Sequence, residues 1–207
     1  MEISLRRYTE LPFVIDFLQT KELVLLNPST WNDKNDTYFI EQYAKTKSVT
    51  STAALCLTEC NETYHHWSVF SNGTSGVCII FNKEKLIDAL KDVSNLRAES
   101  VEYKTIKNLE KNPPNINDLP FLKRIAFKDE SEFRLFWECD KTNENTFKVK
   151  IPISAIEKIV LSPWLPRTVA KNVKNALRLI PECNSIVVTQ SLLIEHEKWK
   201  QLANSNA

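Results

Sequence analysis

Glycine is almost missing from this sequence: 207 residues contain only two, Gly73 and Gly76, both in the segment SNGTSG. Backbone that must reach positive φ, or approach a neighbour closely, therefore has one obvious home, as a tight turn or as a cradle for a ligand. No run of about 18 apolar residues occurs, and the opening MEISLRRYTELPF has no continuous apolar stretch. Neither a membrane span nor a secretory leader is expected, and the expected location is cytoplasmic. Five cysteines, Cys56, Cys60, Cys78, Cys139 and Cys183, form no C-x-x-C pair, which argues against a disulfide framework and for reduced thiols. Cys56, Cys60, His65 and His66 lack a zinc spacing, so no metal is expected. An excess of charge of one sign is absent too: 27 basic against 26 acidic residues give +1, and no overall field recruits nucleic acid or an anionic membrane. The phosphate-binding patterns G-x-x-x-x-G-K-[ST] and G-x-G-x-x-G are missing, as is the hydrolase elbow G-x-S-x-G.

What is present is enough apolar material, 43% of residues, to bury a core in a single domain spanning 1–207. Thr9 is an expected N-cap, with Pro12 in the first turn and Phe13, Phe17 and Leu18 at helical spacing to about Thr20. Strands are expected at 23–26, 53–58, 77–81, 100–103, 132–138, 147–153, 157–161 and 184–189. Helices are expected at 36–45, 83–92, 119–127 and 167–180, with a polar helix at the C-terminus. Lys107 to Asp118, which carries Pro113 and Pro114, is expected to be a surface loop. Strands outnumber helices without a regular βαβ rhythm, so the expected class is α+β, a mixed and largely antiparallel sheet with flanking helices.

Two local patterns carry chemistry. In the first, LKRIAFKDESEFRLFW, Lys123, Phe127, Glu130, Glu132 and Arg134 read K-x3-F-x2-E-x-E-x-R. On an extended chain Glu130, Glu132 and Arg134 project together while Phe133, Leu135 and Trp137 take the opposite face. Adjacent carboxylates repel, so one is pushed towards protonation while Arg134 holds the other ionised. The set suits either a site for hydroxyls and a cationic transition state or an exposed ion-pair ladder. In the second, Val169, Val173, Leu177 and Ile180 make an apolar stripe, with Arg167, Lys171, Lys174 and Arg178 on the other face. That basic face is either simply wet or a track for phosphates.

The sequence resembles the bacterial family known as domain of unknown function 2971. The likeness rests on Arg7-Tyr8, Trp31-Asn32-Asp33, Trp67-Ser68 through Gly76-Val77-Cys78-Ile79-Ile80-Phe81, Lys123 to Arg134, and Ile156-Glu157-Lys158-Ile159, in that order. It covers about residues 5–165 and leaves 166–207 as a helical and strand extension. Four positions depart from the pattern: Lys34 for proline, Phe70 for tyrosine, Phe127 for tryptophan and Ser162 for glycine.

This layout is in turn similar to that of ADP-ribosyltransferases, which include bacterial toxins and phage-defence effectors. It implies NAD as substrate, and a carboxylate placed against an oxocarbenium-like centre as the nicotinamide bond breaks. On that resemblance Glu132, Glu130 and Tyr8 are catalytic. Arg7, Asn32, Asp33, Trp67, Ser68, Gly76, Lys123 and Arg134 bind NAD, with Arg7 or Arg134 on the pyrophosphate and Tyr8 and Trp67 stacking. The acceptor is nucleic acid or protein, with Arg167, Lys171, Lys174 and Arg178 guiding a nucleic acid, and an antitoxin or regulatory protein is an expected partner. Two bland readings stand beside these: Tyr8 and Trp67 as core aromatics, and Asn32-Asp33 as a helix-capping turn. The competing functions are a non-catalytic ligand or partner sensor and a metal-dependent nuclease.

Overall fold

The computed structural model describes residues 4–141 and 144–204. β1 (Ser4–Glu10) runs straight into α1 (Leu11–Thr20), followed by β2 (Glu22–Leu26), α2 (Lys34–Lys47), β3 (Ser51–Thr58), α3 (Tyr64–Phe70), β4 (Gly76–Asn82), α4 (Lys83–Leu90) and β5 (Leu96–Ser100). Next come β6 (Glu102–Lys104), α5 (Ile106–Lys111), β7 (Leu122–Arg124), β8 (Glu132–Cys139), β9 (Thr146–Lys150), β10 (Ile156–Leu161), α6 (Arg167–Arg178), β11 (Val187–Gln190) and α7 (Glu197–Asn204). The class is α+β. The main sheet runs β11-β10-β4-β1-β3-β2-β9, with β8 added to β3 and β5 to β8. Its pairs are antiparallel except β10 with β11, which is parallel. No helix among the described residues is long and apolar enough to cross a membrane.

The sheet is split. β3 keeps full register with β8 from Ser51–Cys139 to Thr58–Glu132, whereas β1 keeps full register with β4. β1 and β3 themselves meet at a single paired position, Arg6 with Thr58. Backbone groups along a parted edge still need partners, and β1 supplies them from its side chains: Arg7 Nη1 donates to the Cys56 carbonyl at 3.2 Å and Arg6 Nη1 to that of Cys60 at 2.8 Å. Both halves share one core. Leu5, Ile79, Phe81, Ile159 and Leu161 from one side pack with Leu55, Leu57, Phe133 and Leu135 from the other, under α1, α4 and α6.

Several expectations are corrected here. Glu132 and Arg134 are not an exposed ion-pair ladder: β8 is buried on both faces over most of its length, with Glu132, Arg134 and Phe136 facing α2, whose Ile40 and Tyr43 cover that side. The 107–118 segment is a surface loop only at 112–115: Thr105 and Asn108 form a reciprocal capping box that starts α5, and a 3-10 turn begins at Ile116. The helix expected at 119–127 is two 3-10 turns around the short strand β7. Thr9 lies in β1, and Glu10 precedes α1 without a side-chain cap. On α6 the buried residues are Ala170 and Leu177, with Val173 and Ile180 partly buried, so the stripe turns away from Val169.

The two glycines do structural work at the α3–β4 turn. Gly73 has φ +47°, and a Cβ on Gly76 would come within 2.6 Å of Ser71 Oγ. Ser162 closes the same turn: its Oγ donates to the Gly73 carbonyl at 2.7 Å and its N–H to that of Gly76 at 2.9 Å.

Candidate active site

The split between β1 and β3 opens into a small cleft, about 390 Å³ when the open space at its mouth is included. Arg7 and Tyr8 of β1, His66 and Phe70 of α3, and Glu130 and Glu132 at the start of β8 all line it. These residues are far apart in sequence, and the parted sheet brings them together.

Glu132 begins β8 and is 3% exposed. Its Oε1 accepts from Arg134 Nε at 2.7 Å and its Oε2 from Lys123 Nζ at 3.2 Å. Burial alone would push the carboxyl up, but Arg134 and Lys123 outweigh it and bring Glu132 down to about 2. It is therefore a charged acceptor at neutral pH. Each carboxylate oxygen has two lone-pair positions, so capacity remains for a substrate hydroxyl.

Arg134 does not line the cleft. It is 0% exposed and sits behind Glu132, with Nη1 and Nη2 paired to Asp36 at 2.9 and 2.6 Å and Nη1 also on the Pro120 carbonyl at 2.7 Å. Trp31 stacks against the guanidinium at 4.9 Å. With its donors committed in this way, Arg134 is placed to orient Glu132 and not to meet a pyrophosphate. In the sequence Asp36 shows only as the start of a helix; its buried pairing with Arg134 is set by tertiary packing. Burial raises its pKa despite the neighbouring guanidinium.

Glu130 reaches the cleft by a different route from the extended strand expected. It ends a 3-10 turn, and Ser131, at φ 44°, reverses the chain into β8. Left-handed φ in a non-glycine residue is costly and persists where surroundings enforce it. Here Thr58 Oγ1 and the His66 ring hold the Glu130 carbonyl at 2.6 and 3.2 Å. The carboxylates converge because Lys123 bridges them, at 2.5 Å from Glu130 Oε2 and 3.2 Å from Glu132 Oε2. Burial raises the Glu130 pKa against the pull of Lys123. Burial lowers that of Lys123, but Glu132 and Glu130 outweigh it and raise it on balance. The space among Asp36, Glu130 and Glu132 that a divalent ion would need is thus filled by an ammonium. Among the described residues, no three His, Cys, Asp or Glu side chains are grouped to hold a metal.

Arg7 faces the acidic end of the cleft, and among the described residues no carboxylate lies within ion-pair distance of it. Burial lowers its pKa, an unfavourable state for a cation that an anionic ligand would relieve. Tyr8 lines the cleft and is backed by Trp67 edge-on at 5.1 Å. Trp67 itself is 0% exposed and donates its indole N–H to Glu62, so it supports Tyr8 and is walled off from any ligand. Ser68 is exposed on α3, away from the lining, and Trp67-Ser68 lies within that helix. Asp33 caps α2 through Asn35 and Asp36 N–H, Asn32 is exposed beside it, and Gly76 sits in its turn. None of these three lines the cleft. Arg167, Lys171, Lys174 and Arg178 lie on α6, which packs on the core side of β10, whereas Tyr8 and Trp67 pack on its other side through Val160.

His66 is the cleft residue that composition and spacing did not single out. Its ring stacks on Tyr8 at 5.4 Å and touches Thr63 Oγ1 and the Glu130 carbonyl. A carbonyl accepts only, so Nε2 carries the proton and Nδ1 accepts from the threonine hydroxyl. Burial lowers its pKa, consistent with a neutral ring.

The fold and cleft define an α+β protein with a glutamate pair, Glu132 buried and Glu130 partly so, at the split of its sheet. Residues 66–135 match the family model described as Protein of unknown function (DUF2971). Three solved structures of Thermus sp. 2.9 DarT are similar at low identity. The complex with ADP-ribosylated ssDNA is 9% identical with a TM-score of 0.47, covering 92% of this chain and 94% of that one. The carba-NAD+ complex gives 9% and 0.47, covering 92% and 96%, and the NAD+ complex 10% and 0.46, covering 92% and 96%. No curated protein matches the sequence.

Proposed function

We propose that this protein is an ADP-ribosyltransferase that takes NAD in the split between β1 and β3 and passes ADP-ribose to a nucleic-acid or protein acceptor. The observation that carries this reading is Glu132: an ionised, buried carboxylate in the lining of a cleft that it shares with Arg7, a guanidinium with no ion-pair partner among the described residues. Breaking the nicotinamide–ribose bond sends the bonding electrons to the ring nitrogen and leaves positive charge on the sugar. A fixed carboxylate in a water-poor cleft stabilises that charge without having to reorganise. Arg7 suits the pyrophosphate. Glu130, whose pKa burial raises, suits removal of the acceptor's proton.

The test is release of nicotinamide from NAD by the full chain, with single-stranded DNA, duplex DNA, RNA and protein mixtures offered in turn. Release with at least one of them is expected. If none gives release and NAD does not bind, the non-catalytic sensor replaces the transferase. An enzyme that modifies its own cell's nucleic acid or protein needs restraint, so the reading carries with it a toxin or phage-defence role in the cytoplasm and an antitoxin or regulatory partner.

On this reading the basic face of α6 serves a nucleic-acid acceptor through long-range steering, because it lies away from the cleft. Changing Arg167, Lys171, Lys174 and Arg178 together to glutamine is expected to flatten the salt dependence of the acceptor KM. The melting temperature should barely move, since these charges are largely exposed. An unchanged salt slope would remove α6 from the mechanism.

A further inference from the structure

A second groove, about 730 Å³ with its open side, lies on the outer face of β1, β4 and β10 and shares Arg6 and Tyr8 with the cleft. Strand register fixes its floor. Arg6 pairs with Ile80 and Ile80 with Lys158, so two cations flank one apolar residue in a single cross-strand row. Neighbouring strands are about 4.8 Å apart, which sets the two cationic backbones roughly 10 Å apart on either side of Ile80. The next row is Tyr8, Cys78, Val160 and Thr189.

Three observations mark this row as a ligand site. Among the described residues Lys158 has no ion pair, and Arg6 donates only to the Cys60 carbonyl and Asn61 Oδ1. The Tyr8 hydroxyl, in a side chain that is 4% exposed, has among the described residues no oxygen or nitrogen partner and only the weakly bonding Cys78 thiol beside it. The lone acid of the lining, Glu62, has an oxygen committed to the Trp67 indole at 2.6 Å. Two neighbouring cations without an anion repel, and a buried hydroxyl without a strong partner is unfavourable. An anionic ligand bearing polar groups relieves both.

We propose that this groove binds the nucleoside monophosphate end of the dinucleotide, its phosphate between Arg6 and Lys158. This inference rests on the NAD reading of the cleft. The cleft is small and lined by Glu132, so it takes the reacting half, and the chain of the ligand crosses Arg6 and Tyr8 into the groove. There the apolar strip of Ile80, Val160 and Leu192 receives a flat ring, and Thr189, Gln190 and Ser191 offer polar groups along its edge.

The experiment is calorimetric binding of adenosine monophosphate and of NAD to the wild-type protein, Lys158→Met, Lys158→Glu and Lys158→Arg. Lys158 is partly exposed and outside the cleft, so the variants should melt close to wild type, and melting curves confirm that they fold. Adenosine monophosphate should bind the wild type and Lys158→Arg. It should bind Lys158→Met at least about tenfold more weakly, as expected for loss of a charge-assisted bond, and Lys158→Glu not at all. NAD affinity should fall in parallel, and in Lys158→Met the loss in nicotinamide release should appear in the KM for NAD more than in kcat. Equal binding of the monophosphate by wild type and Lys158→Glu overturns the proposal. So does a loss for the monophosphate that NAD does not share. If both ligands depend on Lys158 but no acceptor elicits nicotinamide release, the groove stands and the transferase falls. Release without Lys158 dependence sinks the groove alone.

Discussion

Replacing Glu132 with glutamine is expected to lower the rate of nicotinamide release by a hundredfold or more, on the order of what preorganised charge supplies. Glutamine keeps the shape and one acceptor oxygen, so NAD binding through Arg7 should persist and the loss should fall on kcat. The variant is also expected to be less stable, because Glu132 balances Arg134 and Lys123 in a buried cluster. A loss of roughly 1–3 kcal/mol follows from leaving charged donors poorly matched. Assays well below the melting temperature separate the two effects. If activity falls only in proportion to the unfolded fraction, Glu132 has no part in the chemistry.

Acid titration gives the same residue a second signature. Its carboxyl is held at about 2 against an ordinary value of 4.5. Such a depressed group adds stability that is fully present above about 4.5 and is lost as pH falls towards 2. Wild-type stability should therefore fall across that window more steeply than that of Glu132→Gln, as read by denaturant midpoints.

Arg134→Met is expected to cost about 3–5 kcal/mol, the range for removing one member of a buried ion-pair cluster. Asp36 and Glu132 would remain inside without the guanidinium that compensates their burial. Both would shift towards protonation, so NAD turnover at neutral pH should fall as well. Lysine should not rescue it, since one ammonium cannot reproduce the paired contact to Asp36 together with the bond to Glu132. Combining Arg134→Met with Asp36→Leu should cost less than the sum of the two single changes. A single-variant loss below about 1 kcal/mol would mean that the cluster is not a support for Glu132.

The strand content was legible because strand burial is written locally. Phe133, Leu135 and Trp137 alternate, and the runs around Leu55 and Ile79 are apolar from end to end, so both faces are covered. Glu130 and Glu132 were legible as a pair, but for an incomplete reason: their meeting depends on Ser131 at positive φ and on Lys123, which no period-two rule encodes. The Thr105-x-x-Asn108 capping box is a local helix signal, but Pro113 and Pro114 close by give the opposite one, and the helix ends before them. On α6, Ala170 and Val169 are adjacent and both apolar, so the stripe could be phased either way until packing chose alanine. His66 was hidden for a deeper reason. Its place depends on where β1 leaves β3, a property of chain positions about fifty apart, and its neighbour His65 offers the same chemistry on the wrong side of the helix. Trp67 sits next to the cleft in sequence but points into the core, as one step around α3 requires.

The join between β1 and β3 at Arg6 and Thr58 has a mechanical meaning. A sheet usually carries force across each ladder through many rungs, and this one crosses its middle on one, helped by two arginine side chains. A molecule lodged in the gap touches Arg7 and Tyr8 on one bank and Glu132 on the other, and so replaces the missing rungs. Its binding is then a clamp on the whole fold, with stability rising as RT ln(1 + [L]/Kd). The place where the molecule is weakest as a scaffold is also where a ligand can most strengthen it.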